Sequence, residues 1–314
     1  MKRSFLFALL ASFGIVACSQ PAKTKSSDKG AANENTLLWR ISGNGLTKPS
    51  YLFGTMHMIC ASDIVVSDSL SAAIKNSDKV YLEVNMDDMM GMMMKIMMNP
   101  GQLNMRGDTS LSDLLSPDEY KAVKNFFSSG TASMLPFAML EKMKPFFLQA
   151  LMVEQGGQCE NMIVMEQLVM TEAKKHDKKI DGLETIDFQL SIFDKIPYKV
   201  QAQSLVKMAT DTSKSEDNTM DLFGKTYKSQ DLNKMLEMTK SDKSIDQYTD
   251  LLLYNRNSAW VTQLRDLMKN RSLVIAVGAG HLPGDKGVID LLRKAGYKVE
   301  PVKNEMIKTN TKQI

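Results

Sequence analysis

The chain has 314 residues, 24% of them charged, and a formal net charge of only +3. Without a basic stripe, that balance argues against nucleic acid as a partner. After the first residues no stretch reaches the roughly 20 apolar residues that a membrane-spanning helix needs.

Met1-Lys2-Arg3 is a short basic start, followed by an apolar run from Ser4 to Ala17. That run is too short for a permanent span and fits the apolar core of a secretory signal. It ends Ile15-Val16-Ala17-Cys18, which resembles a bacterial lipobox, with Ile where Leu is usual. The expectation is a lipoprotein signal over 1–18 and acylation at Cys18. The domain would then be extracytoplasmic, in the cell envelope, and held to the membrane through its N-terminal lipid. The alternative is an ordinary cleaved signal with an incidental cysteine. Residues 19–36 are small and polar, without apolar periodicity, and read as a flexible tether. Residues 37–303 form the α/β domain and 304–314 a short tail. Once Cys18 is acylated, Cys60 and Cys159 remain, an even pair in an oxidising setting. They are either a disulfide or two buried free thiols.

Tyr51-Leu52-Phe53 is apolar, bounded by Pro49 and Gly54, and reads as a strand. Asp68 to Ser77 has helical spacing, and Lys79 to Val84 reads as the next strand. Residues 86–179 are helical in pattern and rich in methionine. Ser116-Pro117-Asp118-Glu119 has the signature of a helix start. Helical character continues over 137–153 and 161–175. Lys179 to Glu184 is strand-like, and helices follow over 188–193, 200–209, 222–238 and 245–269. Leu273 to Val277 is continuously apolar and β-branched, as a central parallel strand should be. A helix from Lys286 to Lys294, stopped by Gly296, and a strand from Tyr297 to Val302 close the domain. The fold expected is α/β. Its mostly parallel sheet is built from two β-α-β units, each carrying Gly-x-x-His, with a large helical insertion between them.

Two of the three histidines end matching tetrapeptides, Gly54-Thr55-Met56-His57 and Gly278-Ala279-Gly280-His281, each directly after an expected strand. In parallel sheets ligands bind beyond the carboxyl ends of the strands, so both imidazoles belong on the functional edge. Glu83 lies within Val80-Tyr81-Leu82-Glu83-Val84. A carboxylate on a buried strand needs a metal, an arginine or a reacting group to compensate it; on an edge strand it would simply be solvated. Glu184 is either a strand-end carboxylate or one favoured by a helix N-terminus. Arg256 follows an apolar helical run and could clamp a carboxylate or an oxyanion, or form a surface ion pair. His176 sits among lysines and reads as a solvated loop residue.

Gly-Thr-x-His, Tyr-Leu-Glu-Val, Gly-Leu-Glu-Thr, Arg-Asn and Gly-x-Gly-His-Leu-x-Gly occur here in that order. Together they resemble the TraB/GumN family, which contains the Tiki proteins and is similar in fold to the erythromycin esterases and ChaN-like lipoproteins. The resemblance implies one cleft with His57, Glu83 and His281 as metal ligands and with Glu83, Glu184 and Arg256 in catalytic roles. Because Tiki relatives are divalent-metal-dependent proteases, it also implies Mn, Co or Zn as cofactor and a peptide or other small substrate. Metal-free His/Glu chemistry, as in the esterase-like relatives, is the second mechanism. A non-catalytic lipoprotein binding a ligand or peptide is a reading from another class. Asn255 stands where an acidic residue is expected, which weakens the carry-over at that helix.

The chain carries 25 methionines, densest over 89–98. Thioethers suit Cu(I), or could provide an adaptable apolar surface, but a methionine-rich buried or lid helix is the plainer account.

Overall fold

The apolar run Leu273–Gly278 (β7) lies at the middle of a six-stranded sheet and is buried throughout its apolar residues. Parallel neighbours flank it on both sides: Lys79–Val84 (β4) and Ser50–Thr55 (β2). A strand covered on both faces has no polar side to show, which is why the pattern there is continuous and not alternating. Lys179–Glu184 (β6) extends the parallel part beyond β4. On the other side Leu38–Ser42 (β1) pairs antiparallel with β2, and Lys298–Val302 (β8) pairs antiparallel with β1. The order is β6-β4-β7-β2-β1-β8.

This computed structural model describes residues 35–87, 91, 94, 98, 100–129, 136–155, 159, 161–210, 219–241 and 246–307. The expected signal, Cys18 and nearly all of the expected tether lie outside the described residues, as does most of the methionine run. Met94 and Met98 are described and exposed. The described residues belong to one compact unit. Among the described residues no helix is long and apolar enough to cross a membrane.

The two faces of the sheet carry separate cores. On one, Asp68–Asn76 (α1) and Met165–Lys175 (α6) press Leu70, Ile74, Val169 and Met170 against Leu82, Val274 and Phe53. On the other, Asn255–Leu267 (α11) and Val288–Lys294 (α12) press Trp260, Leu264 and Leu292 against Ile275, Tyr81 and Leu52. α12 stops where Gly296 takes φ +94°, a left-handed position that favours glycine.

A third core is purely helical. It joins Leu111–Leu114 (α2), Pro117–Ser129 (α3), Phe137–Leu140 (α4) and Pro145–Gln155 (α5) to Tyr198–Thr210 (α8), through Leu111, Val123, Phe127, Leu148 and Leu205. The helical cluster therefore does not follow the 86–179 boundary. α6, inside that range, serves the sheet, and α8, outside it, serves the cluster. Amphipathic spacing tells that a helix has a buried face, and leaves open which core receives it. Thr219–Ser229 (α9) and Leu232–Ser241 (α10) precede α11.

The β-α-β units also differ from their simplest form. β2 and β4 are separated by β7, while β7 and β8 are separated by β2 and β1. The segment read as helical over 161–175 begins with a two-residue strand, Met162–Ile163 (β5), which pairs antiparallel with Ile59–Cys60 (β3). A disulfide joins Cys60 to Cys159.

Candidate active site

The parallel strands β2, β4, β6 and β7 end on one edge, where Thr55 lies opposite Gly278 and Val84 opposite Glu184. His57, Glu83, Glu184 and His281 all stand on or just beyond those ends, in the position where parallel sheets bind ligands.

His281 closes a single 3-10 turn, Ala279–His281, and is buried. Its Nδ1 lies 2.6 Å from Oδ1 of Asn257 on α11. The Asn257 amide NH2 donates to the carbonyls of His281 and Lys286. That pairing orients the amide, so Oδ1 accepts and Nδ1 of His281 carries the proton. Nε2 keeps its lone pair, which faces Nη1 of Arg256 at 3.2 Å. Burial lowers the pKa of His281 to about 4, so the ring is neutral at pH 7. Trp260 packs against it with ring centroids 4.5 Å apart.

Glu83 belongs to β4, an interior strand, so the solvated-edge alternative is corrected: the residue is buried. Burial works to raise its pKa. The charges of His281 and Arg256 and the amide of Gly278 outweigh that and hold it at about 2. The Gly278 N–H donates to Oε1 at 2.8 Å, and Nη2 of Arg256 to Oε2 at 2.6 Å. Arg256 also forks onto Glu184, with Nε and Nη2 between 2.8 and 3.1 Å from its oxygens. Its Nη1 donates to the Leu252 carbonyl and lies 3.2 Å from Nε2 of His281. Burial opposes the guanidinium charge, but Glu184 and Glu83 raise its pKa on balance. Arg256 follows a π-helical turn, Asp250–Tyr254, of a kind frequent at functional sites. Gln189, on Ile186–Phe193 (α7), bridges Glu83 and Glu184 with one amide nitrogen.

His57 is different in character. Its side chain is 76% exposed, and its Nδ1 lies 3.0 Å from Oε1 of Glu166. Thr55 donates to the same oxygen at 2.8 Å. The hydrogen bond to Glu166 raises the His57 pKa to about 9. Glu166 lies in the first turn of α6, where the helix dipole favours a carboxylate. Its other oxygen, Oε2, is buried without a hydrogen-bond partner. The Tyr227 hydroxyl, fully buried, donates to the Gly54 carbonyl beside this pair. The two strand-end histidines are thus held by the same nitrogen and tuned in opposite directions.

The glycine that opens each tetrapeptide has a steric reason. A Cβ on Gly278 would come within 3.2 Å of Glu83 Oε1 and 3.6 Å of His281 Cδ2. One on Gly54 would press on Leu37, Leu282 and the Cα of Ala279 at 3.1–3.2 Å.

A sequence model of the TraB/PrgY/gumN family matches residues 37–301. The chain belongs to the TraB/PrgY/gumN family. Its similar relatives include a protein named Metalloprotease TIKI homolog from Nematostella vectensis, 25% identical over 87% of this chain and 68% of its own length. Metalloprotease TIKI2 from Danio rerio is 23% identical, over 88% of this chain and 63% of its own. Metalloprotease TIKI1 of the same fish is 24% identical, over 85% and 63%. The chain thus spans about two thirds of the length of these relatives. No solved structure matches it.

The donor types of this TraB/PrgY/gumN site, imidazole and carboxylate, suit a divalent ion, and the unpartnered Glu166 Oε2 is a buried lone pair facing no donor. Yet among the described residues no three His, Cys, Asp or Glu groups stand close enough to hold one. The expected triplet His57, Glu83 and His281 is not drawn into one ligand set. Arg256 is in contact with Glu83, Glu184 and His281, and His57 is paired with Glu166. His176, read as solvated, bonds Glu172 on α6 and takes no part. Asn255 is exposed, one residue from the guanidinium that enters the site.

Sequence reasoning missed Glu166, Asn257 and Gln189. Asn257 sits in the Arg-Asn pair that helped to mark the family, and Glu166 interrupts an apolar helix face. Gln189 carried no sequence signal. A cleft of about 380 Å³ lies beside other α7 residues, lined by Arg106, Lys144, Asp187 and Asp194. There Lys144 and Arg106 pair with Asp194 at 2.6 and 3.1 Å, and Gln102 donates to Asp187.

Proposed function

We propose that this chain is an extracytoplasmic, lipid-anchored hydrolase, a divalent-metal-dependent peptidase acting at the β2–β4–β7 edge. The observation that carries the reading is the placement of two strand-end histidines and one Arg-clamped glutamate on the same sheet edge. The names of the relatives as metalloproteases support the reaction class. The apolar leader ending in Cys18 supports the anchor.

In this reading His57, deprotonated on binding and oriented by Glu166, would hold the ion together with Glu83 and His281, side chains that the chain by itself does not gather into one ligand set; the ion would supply a polarised water at neutral pH. The rest of the chemistry belongs to the chain. Glu83, ionised and held by the Gly278 amide and Arg256, offers a fixed carboxylate that accepts a hydrogen bond from the water and orients it. Arg256 stabilises an oxyanion or a substrate carboxylate. Asn257 keeps Nε2 of His281 a lone pair. His57, on the open side, faces the substrate.

The test is metal content and Mn²⁺ binding of residues 35–314 beside the His57→Ala/His281→Ala variant, followed by a peptide-substrate screen. Saturable binding of about one ion, lost in the variant, is expected. Binding that survives the double substitution would overturn the ligand assignment. Mass spectrometry of the envelope-extracted protein tests the anchor: an acyl mass on Cys18 is expected.

The contacts of Arg256 with Glu83, Glu184 and His281 favour one second reading, metal-free hydrolysis, in which the guanidinium is the resident cation. Hydrolysis that withstands exhaustive chelation would select it.

A further inference from the structure

We propose that Glu166 is the positioning residue that turns His57 toward the cleft, and that the Cys60–Cys159 disulfide is the clasp holding the two together. Thiol–disulfide exchange at that bond would then govern the site. The inference rests on His57 belonging to the functional edge.

His57 lies on an exposed loop, two residues before β3. Glu166 lies three residues after β5, in the first turn of α6. The segments are joined by a short ribbon, with Ile59 opposite Ile163 and Cys60 opposite Met162. The Ala61 N–H adds a bond to the Asn161 carbonyl at 2.9 Å. So small a ribbon is marginal by itself, since isolated two-stranded pairings are barely stable in water. The disulfide makes it permanent, across a sequence separation of 99. The His57 Nδ1 to Glu166 Oε1 contact is the next side-chain link along the same two arms. An anchored Nδ1 leaves Nε2 to the cleft, the arrangement by which outer carboxylates orient working histidines.

Both cysteines are partly accessible. A dithiol reductant can act in two steps: its thiolate attacks one Sγ to form a mixed disulfide, and its second thiol then displaces the cysteine. The reductant gives up two electrons and becomes a disulfide. Two protons end on Cys60 and Cys159 as thiols.

The experiment uses the purified full chain with ¹⁵N-labelled histidine, metal-free, oxidised or reduced by a dithiol. The chain has only three histidines, so the ring signals of His57, His176 and His281 are separable. In the oxidised protein His57 is expected to show one Nδ1-anchored ring state. Reduction, or Glu166→Gln, is expected to average that signal and leave His281 unmoved. The Cys60→Ala/Cys159→Ala variant should already show the averaged signal and ignore the reductant. Mn²⁺ affinity should fall about 10–100-fold on reduction, the usual effect of losing an outer-sphere partner. A His57 signal identical in oxidised, reduced and Glu166→Gln protein would overturn the proposal. A His57 signal that moves while no state binds Mn²⁺ would sustain the clasp and overturn the metal reading instead.

Discussion

Asn257 Oδ1 lies 2.6 Å from Nδ1 of His281, and the same Asn257 side chain ties down the carbonyls of His281 and Lys286. Two buried polar groups of His281 and the part-buried Lys286 carbonyl depend on one amide. Asn257→Leu removes all three partners and keeps the volume. Each orphaned buried group costs about 1–3 kcal/mol, and partial relaxation leaves an expected loss of about 3 kcal/mol. Urea unfolding measures it. The His281 ring spectrum gives a second reading, because the variant should lose its preference for the Nδ1–H tautomer.

Arg256 is the counter-charge of two buried carboxylates. Arg256→Met should cost about 3–5 kcal/mol at pH 7, the range for breaking a buried ion pair from one side. The cost depends on pH with a definite sign. The Glu83 pKa is lowered to about 2, so its contribution is present above the ordinary 4.5 and lost as pH falls toward 2. The gap between wild type and variant should therefore narrow between pH 5 and pH 3. Arg256→Lys should not rescue: one ammonium cannot serve Glu83, Glu184 and the Leu252 carbonyl with the geometry of a fork.

The parts legible in the sequence are those where one residue suffices to reveal its surroundings. β7 reveals its central place because no polar residue interrupts it. The two Gly-x-x-His tetrapeptides mark strand ends because a turn must follow there. β1, β3 and β5 escaped notice: two are only two residues long, and Leu38–Ser42 contains Arg40, which alternates outward to Glu300 on β8. The site was half legible for a related reason. Histidines are rare here and draw attention, whereas Glu166 and Gln189 act from helices whose docking no local pattern specifies. Arg256 could be named from its motif, but its place against Glu83, Glu184 and His281 depends on how α11 packs on the sheet.

The glycines near His281 should separate cleanly under substitution. A Cβ at Gly280 meets nothing within 4 Å, so Gly280→Ala should leave folding unchanged. A Cβ at Gly287 would come within 2.3 Å of the Pro283 carbonyl oxygen, which is backbone and cannot step aside cheaply. Gly287→Ala should lower Tm sharply or prevent folding. Gly278→Ala falls between them, because its Cβ crowds Glu83 Oε1, a side-chain atom, at 3.2 Å. The fold should survive with Tm shifted by a few degrees. Displacing the carboxylate should cut hydrolysis or ion binding about tenfold, near 1.4 kcal/mol. Thermal unfolding and Mn²⁺ titration of the three variants check the order, and a Gly280→Ala effect as large as that of Gly287→Ala would refute it.

The His57–Glu166 pair makes a pH-dependent prediction that needs no substrate. The His57 pKa is raised from 6.5 to about 9, chiefly by its hydrogen bond to Glu166. A group whose folded pKa is raised binds its proton more tightly when folded. Its contribution is fully present below pH 6.5 and is lost as pH rises through 9. The Tm of metal-free wild type should therefore exceed that of His57→Gln most at pH 6, less at pH 8, and not at all near pH 10. The side chain is mostly exposed, so water screens the pair and the difference should also shrink with added salt. Thermal scans at those three pH values, in low and high salt with a chelator present, separate the alternatives. A gap independent of pH would mean that His57 holds Glu166 as a neutral hydrogen-bond donor, and the opposed tuning of His57 and His281 would then fail at its first member.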